Sequence, residues 1–221
     1  MEYAMTEQYP FSAPTVSKAD PSDGLLQTSD LSQPIPVGIL IWDGARPGYL
    51  IQLRLDGDLV DEPTVLGDQL PGDIVQLQLS HILLRESRPY ELSFQVQNHI
   101  NGVVRESPTI TLKVDRTQPG ATLLAPLIFP TATLSDQLTG LLPGYAGMQP
   151  GDVVQTMINA SNGPTHTVVA DELTLSPIEI VFTREHLQGH APGVVSIEYA
   201  VTDRAGNTSI TSLPTLVSVQ L

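Results

Sequence analysis

Within the run VTDRAGNTS, residues 201–209, Asp203, Arg204 and Asn207 bring a carboxylate, a guanidinium and an amide close together in sequence. Carboxylate and amide oxygens are the ligands Ca²⁺ prefers, and it takes six to eight of them. The same residues around Gly206 also suit a tight turn, in which Asp and Asn accept backbone N–H groups and tolerate left-handed geometry. Both readings stand on the residues alone. Five histidines, at 81, 99, 166, 186 and 190, offer imidazole nitrogen. His186 and His190 have helical spacing, but Gly189 and Ala191-Pro192-Gly193 oppose a continuous helix, and no HExxH is present.

Other chemistries find less support. The acidic pairs Asp56/Asp58 and Asp61/Glu62 fall in a turn and the strand beside it, not across a cleft as glycosidase carboxylates must. There is no GxSxG elbow, P-loop or dinucleotide fingerprint. With no cysteine, the chain has no disulfide, thiolate metal site or Cys nucleophile. We assign no catalytic residue and expect no enzyme and no obligatory cofactor. Trp42, the only tryptophan, stands in VGILIWDG (37–44) and is the candidate ligand contact, as a sugar-stacking platform; core or junction packing is its other reading.

The net charge is −14, and residues 1–34, 35–117 and 118–221 are each acidic. No basic face is available to neutralise phosphates, so nucleic acid and anionic lipid are poor partners. No apolar run approaches the ~18 residues of a membrane span. The first twenty residues lack a basic and then apolar signal-peptide pattern. Export by another route, or a piece of a longer chain, is the expectation.

The elements that hold these residues repeat. Gly44-Ala-Arg-Pro-Gly48 through Gln52 matches Gly147-Met-Gln-Pro-Gly151 through Gln155 at an offset of 103. At that offset Val75, Leu77, Leu79 and Leu84 meet Ile178, Ile180, Phe182 and Leu187. At 105, Tyr90, Leu92, Phe94, Val96 and Val114 meet Val195, Ile197, Tyr199, Val201 and Val219. Apolar residues keep their parity in both copies, as buried sheet faces require. Each copy reads as six strands: 38–43, 48–55, 59–66, 73–79, 90–98 and 109–115, then 121–128, 151–159, 164–170, 177–182, 193–203 and 213–221. Asp56-Gly57, Pro71-Gly72, Asn101-Gly102, Asn162-Gly163, Pro192-Gly193 and Ala205-Gly206-Asn207 supply turns. The runs 80–86 and 183–188 read as single helical turns. Such a pattern favours Greek-key sandwiches. The Pro-rich residues 1–34 read as an extended or disordered N-terminal arm, able to add a strand to a neighbour's edge. The domains expected are 35–117 and 118–221, with the boundary at VDRTQPG, residues 114–120.

Tyr199-Ala-Val-Thr-Asp203-Arg-Ala-Gly206-Asn207-Thr and Val114-Asp115-Arg-Thr-Gln-Pro119 resemble the closing turn and the linker of bacterial Ig-like repeats of large surface or secreted proteins. The first copy departs from the turn pattern, reading Gln97-Asn98-His99-Ile100-Asn101-Gly102. The resemblance implies two tandem Ig-like β-sandwiches, at the cell surface or outside the cell, serving as a structural or adhesive spacer. It also implies Ca²⁺ at domain junctions. Strand parity brings Asp203 and Asn207 to the end that receives the linker, beside Asp115, with Asn159 or Asn162 as further oxygen donors; Arg204 pairing with Asp115 is the alternative. The partner, protein or glycan, stays open. So does the choice between a monomer and homo-assembly through the arm, and a ligand- or carbohydrate-binding accessory module is the competing function.

Overall fold

The computed structural model describes residues 11–130, 137–174, 177–188 and 193–219. The chain divides into two compact units, Met1–Arg116 and Thr117–Leu221. The all-β sandwich architecture expected from the apolar alternation is the one observed.

In the first unit, β1 (Ile35–Leu40) pairs antiparallel with β4 (Ile74–Leu79). The facing sheet has the order β3-β2-β5, with β2 (Leu50–Leu55), β3 (Asp58–Val65) and β5 (Pro89–Gln97). Two short strands, β6 (Val104–Glu106) and β7 (Ile110–Lys113), share the far edge of β5. Alternation supplies the core: Val37 and Ile39 of β1, Leu77 and Leu79 of β4, Ile51 and Leu53 of β2, and Leu92, Phe94 and Val96 of β5 are all buried in one cluster. Burial of apolar surface at roughly 25 cal/mol per Å² drives the two sheets together. The β2–β3 turn is Asp56-Gly57, with φ of 53° and 89°, the left-handed pair that matches the twist of a two-residue hairpin.

The second unit repeats this plan. β8 (Gln137–Leu142) pairs with β11 (Ile178–Thr183), and the facing sheet runs β10-β9-β12-β13. Here β9 is Val153–Ile158, β10 is Ser161–Thr167, β12 is Gly193–Thr202 and β13 is Thr215–Val219. Residues matched by the repeat are buried alike: Leu79 and Phe182, Leu92 and Ile197, and Leu84 and Leu187 all lie in the cores. Leu84 closes a 3-10 turn at His81–Leu83, and Leu187 ends the one-turn helix α1 (Arg184–Leu187), so both expected helical turns are present.

Two of the edge strands are blunted. β3 and β10 are edge strands, each with a register shift and a proline, Pro63 or Pro164, that cannot donate to a further strand.

Three expectations are corrected. Residues 11–34 do not form a free arm, although residues 1–10 lie outside the described residues. Thr15 exchanges two backbone hydrogen bonds with Gly38 on the open side of β1. Leu26 donates its N–H to the Lys113 carbonyl, and Phe11, Leu26 and Leu31 are buried in the first core. Apolar anchors in a Pro-rich stretch suffice to order it when a sheet edge supplies the backbone partners. Second, 121–128 is not a strand; only Ile128 bridges, to Leu141, and the strand lies at β8. Third, the hairpin turn is Asn159-Ala160, with φ of 47° and 66°, while Asn162-Gly163 sits inside β10 at its bulge. His190 and Pro192 lie outside the described residues.

Candidate functional site

Each sandwich has two poles. At one pole of the first unit, the β1–β2 loop (residues 41–49) meets the β5–β6 turn (98–103). Trp42 leaves the end of β1 half-buried. The Phe11 and Trp42 rings meet edge-on, with centroids 4.7 Å apart, so Phe11 holds the indole in place. Tyr49 stacks on Trp42 at 6.2 Å and 18° between planes, and His99 tilts against Tyr49 at 6.1 Å. His99 reaches this place because residue 48 is glycine. A Cβ there would come within 2.8 Å of the imidazole, and the backbone has φ of 91°.

The polar groups around these rings are fixed by their own turns. The Asn98 carboxamide donates to the Tyr49 hydroxyl at 3.2 Å, and its oxygen accepts the Ile100 N–H at 2.9 Å. The Asn101 side-chain oxygen accepts the Val103 N–H at 3.1 Å. Together Trp42, Asp43, Tyr49, Asn98, Asn101 and Arg105 line a cleft of about 370 Å³. The structure thus places the candidate ligand residue Trp42 in a cleft, with Tyr49, Asn98 and Arg105 beside it. Sequence reading missed these three because they come from separate loops and strands with no shared spacing.

The matching pole of the second unit is built differently. The residue 103 beyond Trp42 is Tyr145, and that beyond Tyr49 is Asp152. The Tyr145 hydroxyl donates to the buried Asp152 carboxylate at 2.8 Å, and the same oxygen accepts the Gln149 N–H at 3.0 Å. Burial, then the Asp152 carboxylate, push the Tyr145 phenol well above its ordinary range. Arg204 stands where the first unit has His99, and its side chain lies over Gly151, where a Cβ would come within 2.8 Å of it.

The candidate ion ligands Asp203 and Asn207 are brought together here. One Asp203 oxygen accepts the Asn207 N–H at 2.8 Å, and the other accepts its carboxamide N–H at 2.8 Å. The Asp203 N–H returns a bond to the Asn207 carbonyl at 3.0 Å, and the Gly206 N–H donates to the Asp203 carbonyl at 3.1 Å. This arrangement builds a turn without help from an ion. Asp115 belongs to the first unit, where it follows the buried Val114. Asn159 and Asn162 cannot join Asp203, because they sit at the opposite pole. Asn159 exchanges bonds with Ser196 and Asn162 pairs with Met157, whereas Thr202, next to Asp203, pairs with Val153 at the other end of β9. Among the described residues, no three His, Asp or Glu side chains gather as a metal centre.

No protein-family model matches the chain, and no curated protein matches it. Solved structures similar to it include fibronectin(III)-like modules of Clostridium thermocellum CbhA, with 12% identity, 94% of this chain and 93% of that chain covered, and a TM-score of 0.47. The adhesin domain of Epf from Streptococcus pyogenes is similar at 13% identity, with 96% and 90% covered and a TM-score of 0.32. The strand order of the chain itself, two facing sheets joined by crossings from β1 to β2, β3 to β4 and β4 to β5, is that of an Ig-like sandwich repeated twice.

Proposed function

We propose that the chain is a non-catalytic structural or adhesive module of a bacterial surface or secreted protein, acting as a semi-rigid spacer. One observation carries this reading: in each unit the described residues begin at one pole and end at the other. In the first unit Phe11 lies against Trp42 at the loop pole, and Lys113 pairs with Pro89 at the opposite pole. In the second, the Gly120 N–H donates to the Ala146 carbonyl in the β8–β9 loop, and Val219 pairs with Gly193 at the far end. A unit whose two ends lie at opposite poles is the kind that a serial spacer requires.

Two further features agree. The edge strands β3 and β10 are shielded by bulges and prolines, which suits a monomer working at high local density. The net charge of −14 resists association. The resemblance of the turn and linker to bacterial Ig-like repeats supports a place at the cell surface or outside the cell. Among the described residues, no helix is long and apolar enough to cross a membrane. The test is small-angle scattering with sedimentation velocity. A monomer whose maximum dimension approaches two sandwich lengths is expected; a dimer, or a chain as compact as one globule, would overturn the spacer.

A further inference from the structure

The two units share one plan and differ at one pole, so the second serves as an internal control for the first. Where the second unit has Tyr145 bonded to the buried Asp152, with the Arg204 side chain over Gly151, the first unit has Trp42 and Tyr49 lining an open cleft. Folding alone does not need these rings, since the same sandwich forms with Tyr145 and Asp152 at the positions of Trp42 and Tyr49. We propose that this cleft binds carbohydrate, with a neutral sugar ring laid against the Trp42–Tyr49 pair and its hydroxyls held by Asn101, Arg105 and Asp43.

The chemistry of the lining selects this class. Half-buried aromatic rings offer an apolar face to the C–H face of a sugar, and small-molecule sites pair such faces with a few polar groups. Amide, guanidinium and carboxylate are planar groups that meet two adjacent hydroxyls at once. The Asn101 oxygen is committed to Val103, which leaves its NH₂ directed by a fixed turn. Arg54 and Arg88 pair with Glu106 and Asp56, whereas Arg105 forms no ion pair among the described residues. Arg105 in the cleft opposes a cationic ligand. Asp43 and a net charge of −14 oppose a phosphorylated one. A neutral polyhydroxylated ligand suffers from neither. The volume, near the lower end for small-molecule sites, suits a mono- or disaccharide. The rings are also held before any ligand arrives, Trp42 by Phe11 and Tyr49 by Asn98, so little side-chain freedom is lost on binding.

This goes beyond the spacer, which needs no ligand, and scattering and binding fail independently. Trp42 is the only tryptophan, so its emission reports on this cleft alone. The full chain is screened on an array of neutral hexose and N-acetylhexosamine oligosaccharides, and each hit is titrated by Trp42 fluorescence. At least one hit should shift the emission saturably. Arg105→Ala and Asn101→Ala, both on exposed positions, should each weaken that hit about tenfold while the melting temperature holds. Asp203→Ala, at the matching pole of the second unit, should leave affinity unchanged. Absence of any hit that moves the emission, or hits insensitive to both variants, would overturn the proposal. So would saturable binding confined to a phosphosugar, amine or peptide control.

Discussion

The Ser107 hydroxyl accepts the Phe94 N–H at 3.0 Å and donates to the Pro108 carbonyl at 2.9 Å. In the second unit, Ser212 does the same for Tyr199 and Leu213, at 3.1 and 3.1 Å. Each serine is buried where the last strand bends away from the core strand beside it. The hydroxyl stands in for the carbonyl that an unbroken ladder would supply. Ser209 repeats the device one step away, accepting the Val201 N–H at 2.8 Å.

Ser107→Ala therefore leaves a buried N–H without a partner, at a cost of roughly 1–3 kcal/mol. Urea unfolding should show a lower midpoint with an unchanged m-value, because the surface exposed on unfolding is the same. Ser212→Ala should do likewise in its own unit. An unchanged midpoint would mean that water reaches the gap.

Leu26 is fully buried, and its N–H is tied to Lys113 at the edge of the first unit. Leu26→Ala should cost about 2–5 kcal/mol, the range for a large-to-small change in a core. Removing residues 1–34 should go further, stripping Phe11, Leu26 and Leu31 from the first core together. The truncated chain should lose the near-ultraviolet signal and protease resistance of the first unit. If it stays folded and only fails to assemble, the segment is an arm after all.

What the sequence showed and what it hid follow from one physical difference. β4, β5, β11 and β12 each bury one face against a facing sheet, so their apolar residues alternate without a break and the repeat stands out. β8 was missed because Gly140 interrupts its alternation. That glycine is required by packing, since a Cβ would come within 2.9 Å of the Phe129 ring and 3.1 Å of Phe182. Residues 11–34 were missed because they are held by scattered anchors and isolated bridges, which leave no period. At the candidate site, Trp42 was visible as a lone aromatic. Tyr49, Asn98 and Arg105 join it only through the folding of β2, β5 and β6, and spacing within one segment cannot show that.

The turn at Asp203 allows a direct test of the calcium expectation. Its two carboxylate oxygens already serve the Asn207 N–H and carboxamide, so the turn's geometry does not call for an ion. Thermal melting should be the same in EDTA and in millimolar Ca²⁺. Asp203→Ala should lower the melting temperature equally in both, by leaving the Asn207 N–H without its acceptor. Stabilisation by Ca²⁺ that disappears in Asp203→Ala would make the turn an ion site.

Asp56 and Asn159 occupy the same turn position in the two units, and the difference between them predicts a pH effect. Both take the left-handed conformation, and both accept a backbone N–H from the neighbouring strand of the same sheet, from Glu91 at 2.9 Å and from Ser196 at 2.9 Å. Only Asp56 also accepts from Arg88, at 2.7 Å. That hydrogen bond is the main cause holding the Asp56 carboxyl below its ordinary value of 3.8; burial, the next largest, opposes it, and the Glu91 N–H and the Arg88 charge add to the lowering. A carboxyl depressed in the folded state stabilises it fully above the unfolded value, and the benefit disappears as the pH falls through the folded one. Asp56→Asn keeps the turn and the Glu91 bond, as Asn159 shows, and loses the pairing with Arg88. The native chain should therefore be the more stable at pH 7, and the gap should close below pH 3.8. Both side chains are more than a third open to solvent or close to it, so the gap should be small and should shrink in high salt. Chemical unfolding of both proteins from pH 2 to pH 7 measures this. A gap that stays constant with pH would show that the Arg88 pairing adds nothing to stability.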